Sequence, residues 1–83
     1  MTRADFTSDR TLRDLHEGLP VVQEESAAAL AAAGYDEGAM FAIRLAIEEA
    51  VVNAFRHGNR SDPSKVVFFR SAIGPDEARF EVE

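Results

Sequence analysis

The sequence predicts a small α+β domain in which helices pack on one face of a mostly antiparallel sheet. Two observations predict it. Two capped, alanine-rich segments carry apolar residues at helical spacing, and two segments near the end of the chain have the composition or alternation of strands. At 83 residues, folding buries only about 60–65% of the surface that the unfolded chain exposes, so the chain forms one modest core. We therefore expect residues 1–83 to be a single domain, a two-layer α/β sandwich with the order strand, helix, helix, strand, strand.

The first predicted elements are a short strand and the start of a helix. Residues 4–7 favour a strand, and the Ser8-Asp9 pair that follows is typical of a turn or a helix cap. Thr11 is the expected N-cap of the first helix, with Asp14 three residues later in the position of a capping box. Arg10 and Arg13 then lie at the start of this helix, where a surface role is expected.

The first helix is predicted from a stripe of residues spaced mostly three or four apart: Leu12, Leu15, Leu19, Val22, Ala29 and Ala33. Pro20 has no backbone N–H, so we expect a kink or a break there. The alanine run over residues 27–33 strongly favours a helix and close packing, and Gly34 is the expected end.

The second helix is predicted to begin after Asp36, a good N-cap, and to run to about His57 before Gly58. Its interior is nearly apolar, with such residues on more than one face: Met40, Phe41, Ile43, Leu45, Ile47, Val51, Val52 and Phe55. We therefore expect this helix to be the central element and to be broadly buried.

Turn-forming residues over 58–64 separate this helix from two predicted strands. Residues 65–71 are β-branched and aromatic, and Phe68 and Phe69 must point to opposite faces of their strand. Residues 73–77 form a hairpin connection, after which residues 78–83 alternate between apolar and charged side chains. That alternation predicts a half-buried antiparallel strand.

The composition excludes several classes of function. Nine Lys and Arg residues against 15 Asp and Glu give a net charge of −6, which argues against nucleic acid or an anionic membrane as a partner. Cysteine is absent, so disulfides, thiolate metal sites and cysteine nucleophiles are excluded. With no apolar run near 18–20 residues and no signal-peptide stretch, we expect a cytoplasmic protein.

Three polar residues stand out on the second helix. Glu49, Asn53 and His57 are four residues apart, so on an α-helix they lie almost above one another. Small alanines flank them, and the stripe is either a plain solvated face or a surface that a ligand approaches. A carboxylate one turn from a carboxamide suits a phosphate–Mg²⁺ site, because Mg²⁺ prefers oxygen ligands and keeps several waters. A third hypothesis is that Glu49, Asn53 and His57 form a transition-metal site, although Asn is a poor zinc ligand.

The surrounding string is more specific than the spacing. Residues 45–59, L-A-I-E-E-A-V-V-N-A-F-R-H-G-N, resemble the N-box helix of the GHKL ATPase superfamily, which includes gyrase, heat-shock chaperone, histidine kinase and mismatch-repair ATPases. Within this string, E-A-V-V-N-A-F-R-H-G-N is most similar to the anti-sigma-factor serine/threonine kinases. The D-P-S-K loop at 62–65 and the strand, turn and strand after it also resemble them. The resemblance implies a partial Bergerat ATPase fold.

The resemblance also implies roles for these residues. Glu49 would be the catalytic carboxylate, which accepts the proton of a serine or threonine hydroxyl on an antagonist protein. Asn53 would bind Mg²⁺ and through it the ATP phosphates, and His57 would lie near the phosphate end of the cofactor pocket. Glu48 points about 100° away from Glu49, so we expect it to pair with Arg44 or to meet solvent. The implied partners are a sigma factor and the antagonist of the anti-sigma factor, in partner-switching control of transcription.

The sequence departs from the family in one respect. The family's nucleotide site needs a D-x-G-x-G box after the strand that residues 78–83 represent, and none of the five glycines belongs to such a box. We therefore expect a truncated ATPase domain that binds ATP poorly or not at all by itself, whereas its parent would be a kinase. The alternative is a non-catalytic protein-binding or dimerisation module, whose last strand is a sheet edge open to a second copy.

Overall fold

The computed structural model describes residues 4–58 and 65–83. They form β1 (Phe6–Leu12), α1 (Leu15–Ala32), α2 (Glu37–Asn53), a π-helical turn (Ala54–Gly58), β2 (Val67–Ile73) and β3 (Ala78–Val82). The sheet has the order β1-β2-β3, and both pairings are antiparallel. The predicted α+β class and the order of the elements are confirmed: two helices pack against a three-stranded antiparallel sheet.

The core lies between the helices and one face of the sheet. In the central strand β2, side chains alternate between buried and exposed: Phe69 is fully buried, whereas Phe68 is 46% exposed on the opposite face. The predicted opposite orientation of these two rings is confirmed. The main core cluster is Leu12, Val22, Ile47, Val51, Phe55, Val67 and Phe69.

The start of the chain differs from the prediction. Ser8 and Asp9 lie inside β1, not in a turn, and Thr11 is a strand residue, not the N-cap of α1. The helix begins at Leu15, and its N-cap is Asp14, whose Oδ2 accepts a hydrogen bond from the Glu17 backbone N–H at 3.1 Å. Residues 8–11 are in a strand because β1 pairs with β2 along its whole length, a contact between distant segments.

Arg10 and Leu12 therefore belong to β1, and both point toward the helices. Leu12 is opposite Val67 of β2 and is buried under α1, so it contributes to the core as a strand residue. Arg10 is opposite Phe69. The predicted helical stripe is correct from Leu15 onward and wrong at Leu12.

Pro20 does not break α1, so of the two expected outcomes, a kink or a break, the break is wrong. It is exposed in the second turn, and the helix continues past it to Ala32. Burial of Val22, Ser26 and Leu30 holds the rest of the helix against the molecule, which outweighs one missing hydrogen bond. The predicted end is confirmed, because Gly34 follows the helix with φ of +91°, a conformation that favours glycine.

Helix α2 begins as predicted but is less buried than predicted. The Asp36 carboxylate caps it by accepting a hydrogen bond from the Ala39 backbone N–H at 2.8 Å. Only Ile47 and Val51 are fully buried on this helix, whereas Phe41 is 63% exposed and Leu45 is 47% exposed. In the described part of the chain, the sheet and α1 cover α2 on one side only, so broad burial was the wrong interpretation of its composition.

The two last strands are shifted slightly from their predicted bounds. Strand β2 begins at Val67 instead of residue 65 and includes Ile73, which was expected in the hairpin connection. The connection is closed by a hydrogen bond from the Gly74 N–H to the Glu77 carbonyl at 2.9 Å. Most of the predicted loop over 58–64, and of the D-P-S-K segment, lies outside the described residues. Neither described helix combines the length and apolarity needed to cross a bilayer.

Candidate functional site

Glu49 and Asn53 occupy the last two turns of α2, one turn apart on the same face. The local sequence explains this placement. Ile47 and Val51 each lie two residues from Glu49, so they project from the opposite side of the helix, and both are buried in the core. Anchoring that apolar side turns Glu49 and Asn53 outward, and both side chains are exposed.

These two side chains have no partner among the residues that the structure describes. Within residues 4–58 and 65–83, neither the Glu49 side chain nor the Asn53 side chain makes a hydrogen bond or an ion pair. The Glu49 carboxylate and the Asn53 amide are therefore free to interact with a ligand. The prediction that they share one face is confirmed by their helical placement, and their roles stay predictions.

His57 is placed differently from the other two. The α-helix ends at Asn53, and His57 lies in the π-helical turn, where hydrogen bonds run from i to i+5 instead of i to i+4. The predicted α-helical alignment of all three residues therefore stops at Asn53. The wider turn keeps Phe55 buried in the core while Arg56 and His57 are exposed. Such turns often occur at functional sites.

The competing carboxylate, Glu48, meets solvent. It is exposed, and in the described part of the chain it forms no ion pair with Arg44. The backbone carbonyl of Arg44 instead accepts a hydrogen bond from the Gln23 side chain at 2.8 Å, which links α2 to α1. Of the two alternatives for Glu48, the structure shows exposure to solvent.

An apolar groove runs beside the polar face of α2, between α2 and β3. Ala46 and Ala50 form its helix side, Phe80 and Val82 form its strand side, and its volume is about 390 Å³. The small alanine side chains leave this groove open. Sequence reasoning noticed these alanines but did not place β3 beside them, because contacts between distant segments are not visible in local periodicity.

The side-chain oxygens of Glu49 and Asn53 suit a hard cation that keeps water or phosphate oxygens among its ligands. Among the described residues, no group of three or more His, Cys, Asp and Glu side chains lies together as a metal site. A metal ion at Asn53 would therefore take its other ligands from water and from a bound phosphate, as Mg²⁺ commonly does.

Comparison with known proteins identifies the family. The family model that describes the histidine kinase-like ATPase domain matches residues 12–83. No curated protein and no solved structure matches the chain significantly. The family match spans both helices, all of β2 and β3, and the segment that carries Glu49 and Asn53. The chain therefore belongs to the histidine kinase-like ATPase domain family.

Proposed function

We propose that this chain supplies the general base and the magnesium ligand of an ATP-dependent serine/threonine protein kinase of the anti-sigma-factor type. The observation that carries the proposal is the pair Glu49 and Asn53, which lie one turn apart on α2, are exposed, and have no side-chain partner among the described residues. Membership of an ATPase family supports the use of ATP. The kinase assignment rests on the resemblance of the string at residues 49–59.

The residues present fit a magnesium–phosphate group. The Asn53 side-chain oxygen is exposed and has no hydrogen-bond donor among the described residues. Carboxamide and carboxylate oxygens are hard donors that suit Mg²⁺, which needs few protein ligands beside substrate phosphates. When bound, Mg²⁺ would neutralise charge on the ATP phosphates.

The proposed reaction uses Glu49 as the base. Its carboxylate accepts the proton of a serine or threonine hydroxyl on the antagonist protein. The hydroxyl oxygen forms a bond to the γ-phosphorus, the bond to the β–γ bridging oxygen breaks, and ADP leaves with that electron pair. The products are a phosphorylated antagonist, ADP and a proton held by Glu49.

The regulatory cycle is part of the same proposal. A kinase of this type would bind a sigma factor in one state and phosphorylate the antagonist in another, which gives partner switching. The described residues do not include a D-x-G-x-G box, so we assign adenine recognition to none of them. His57, close to Asn53 in the π-helical turn, is the proposed contact to the phosphates.

The base is tested by Glu49→Gln in the kinase that contains this chain together with a D-x-G-x-G segment. We expect phosphorylation of the antagonist to slow by about 10²–10⁴-fold, because a carboxamide cannot take the proton, while ATP affinity stays within a few-fold. The matched control is Glu48→Gln, one residue away and exposed, which should leave the rate unchanged. Full activity of Glu49→Gln would refute the assignment.

The magnesium ligand is tested by Asn53→Ala in the same protein. Calorimetric titration should show a loss of Mg²⁺-dependent ATP binding, while binding without Mg²⁺ changes little. Independently, the gene can be read beyond the codon for Glu83. The kinase proposal fails if no D-x-G-x-G sequence follows within a few residues.

A further inference from the structure

A second groove, the interhelical groove, lies between α1 and α2. The buried side chains of Leu30 and Ile47 line it, together with Phe41, whereas Glu49 and Asn53 do not. Its volume is about 230 Å³. A cavity of about 150 Å³ already holds benzene, and sites for drug-sized ligands begin at about 300 Å³. The interhelical groove therefore has room for a ligand of one or two fused rings.

A buried hydroxyl in this groove has no hydrogen-bond partner. Ser26 of α1 lines the groove and is only 2% exposed, yet its side chain makes no hydrogen bond among the described residues. Because a buried polar group without a partner costs free energy, such groups in proteins generally bond to a ligand or an ordered water. The Ser26 hydroxyl is therefore a donor available to a ligand in an otherwise apolar groove.

An unpaired positive charge lies at the same end of the groove. The Gln23 side chain donates to the Arg44 backbone carbonyl at 2.8 Å, which places this turn of α2 beside the turn of α1 that carries Gln23 and Ser26. Arg44 lines the groove, and its guanidinium makes no ion pair in the described part of the chain. Glu37, the acidic residue of the lining, is seven residues from Arg44, about 10 Å along the helix axis. No salt bridge therefore neutralises Arg44.

We propose that the interhelical groove binds a small aromatic carboxylate, a free molecule of one or two fused rings with a single carboxylate group. The carboxylate accepts hydrogen bonds from the Arg44 guanidinium and the Ser26 hydroxyl. The rings lie against the apolar lining of Leu30 and Ile47. Charge selects an anion, because Arg44 would repel an ammonium group at this end of the groove.

The outer side of the groove favours aromatic rings over an aliphatic chain. Met40 and Phe41 both line it, and the Phe41 side chain is 63% exposed. A thioether and a phenyl ring each make favourable contacts with another ring beyond the burial of apolar area. The ligand would contact both helices and cover part of Phe41, so its binding stabilises the folded protein. This site uses neither Glu49 nor Asn53 and is independent of the proposed kinase reaction.

Titration of the 83-residue chain with sodium 2-naphthoate, followed by NMR amide chemical shifts, tests the proposal in the absence of nucleotide. We expect saturable binding, with the largest shifts in the groove-lining turns of α1 and α2. The uncharged 2-naphthamide should bind about fivefold more weakly, because it lacks the charge that Arg44 attracts. Arg44→Gln should weaken 2-naphthoate binding about fivefold for the same reason. Arg13→Gln, an equal change of net charge at an exposed position outside the groove, is the control.

Filling the groove provides a second, independent test. Ala27 is exposed and lines the groove, so Ala27→Phe should abolish 2-naphthoate binding without disturbing the core. Ala28→Phe, at the adjacent exposed residue outside the groove, should bind like the wild type, and circular dichroism checks that both variants fold.

Three results would each overturn the proposal. The first is a wild-type chain that does not bind 2-naphthoate at millimolar concentration. The second is equal affinity for 2-naphthoate and 2-naphthamide, or equal affinity of the wild type and Arg44→Gln for 2-naphthoate. The third is unimpaired binding by a folded Ala27→Phe variant, which would assign the ligand to another surface such as the groove between α2 and β3. The amide and Arg44→Gln comparisons decide the matter even if Ala27→Phe does not fold.

Discussion

At the scale of single residues, Glu25 shows how the tertiary structure gives a side chain a role that its neighbours in sequence do not suggest. The Ser8 hydroxyl donates a hydrogen bond to Glu25 Oε1 at 2.6 Å, and the Arg10 guanidinium donates to the same carboxylate. These contacts join β1 to α1. The hydrogen bond from Arg10, together with that from Ser8, holds the pKa of Glu25 below its ordinary value of 4.5, although partial burial acts in the opposite direction.

The lowered pKa of Glu25 predicts an acid-dependent loss of stability. Because the folded state favours the ionised carboxylate, its contribution is complete above the ordinary pKa of 4.5 and disappears as the pH falls through the lower folded-state value. We expect Glu25→Gln to reduce the free energy of unfolding at neutral pH and to flatten its decline in acid. Urea denaturation at a series of pH values measures this. Glu24→Gln, at an exposed neighbouring position, is the control, and an equally steep decline in Glu25→Gln would contradict the assignment.

At the scale of elements, α1 tolerates a proline because its buried side chains hold it in place. Leu15 is the first helical residue and Pro20 lies in the second turn, where its missing N–H leaves the carbonyl four residues earlier without its helical donor. Val22, Ser26 and Leu30 are buried on the following turns. Packing energy therefore exceeds the local preference for a break. The composition shows only that local preference, which is why it suggested an interruption.

Pro20→Ala is predicted to stabilise the protein. The penalty of proline in a helix interior is about 3 kcal/mol, and the greater freedom that alanine gives the unfolded chain offsets about 0.4–1 kcal/mol. Because Pro20 is exposed, little packing is lost, and we expect a net gain of about 2 kcal/mol in the free energy of unfolding. Chemical denaturation measures it. An unchanged or lower stability would mean that the proline ring makes contacts worth as much as the helix penalty.

At the scale of the whole molecule, one layer of helices covers one face of the sheet. The stability of this arrangement depends on β2, the central strand of the sheet. Phe69 of β2 is fully buried, and its ring lies 6.1 Å from that of Phe80. Phe68, the next residue, points to the face away from the helices. Adjacent residues of the same type therefore have very different energetic roles.

Replacing each phenylalanine by alanine provides a matched pair of experiments. Phe69→Ala should cost about 3–5 kcal/mol, because it removes a buried ring and leaves a cavity. Against a total stability of about 5–15 kcal/mol for a typical domain, this leaves the protein close to unfolding. Phe68→Ala should cost about 1 kcal/mol or less, since the ring is 46% exposed. Thermal denaturation compares them, and equal losses would contradict the two-layer description.

Local chemistry was sufficient for much of the fold. The cap at Asp36, the glycine at position 34 and the alternation of β3 each depend on interactions within a few residues, so their positions could be predicted. The shared face of Glu49 and Asn53 follows from helical geometry in the same way. Their proposed chemistry came from the resemblance of the surrounding string, which spacing alone would not support.

The remaining features were decided by contacts between distant segments. Leu12 has the right spacing for the helical stripe, but pairing of β1 with β2 makes it a strand residue. Phe41 and Leu45 look like core residues by composition, yet the layers that pack on α2 leave them exposed. The sequence by itself determined the elements, their order and the face that carries the polar pair, because these depend on local periodicity. Only the tertiary structure decided which apolar faces are covered, because burial is a property of packed surfaces.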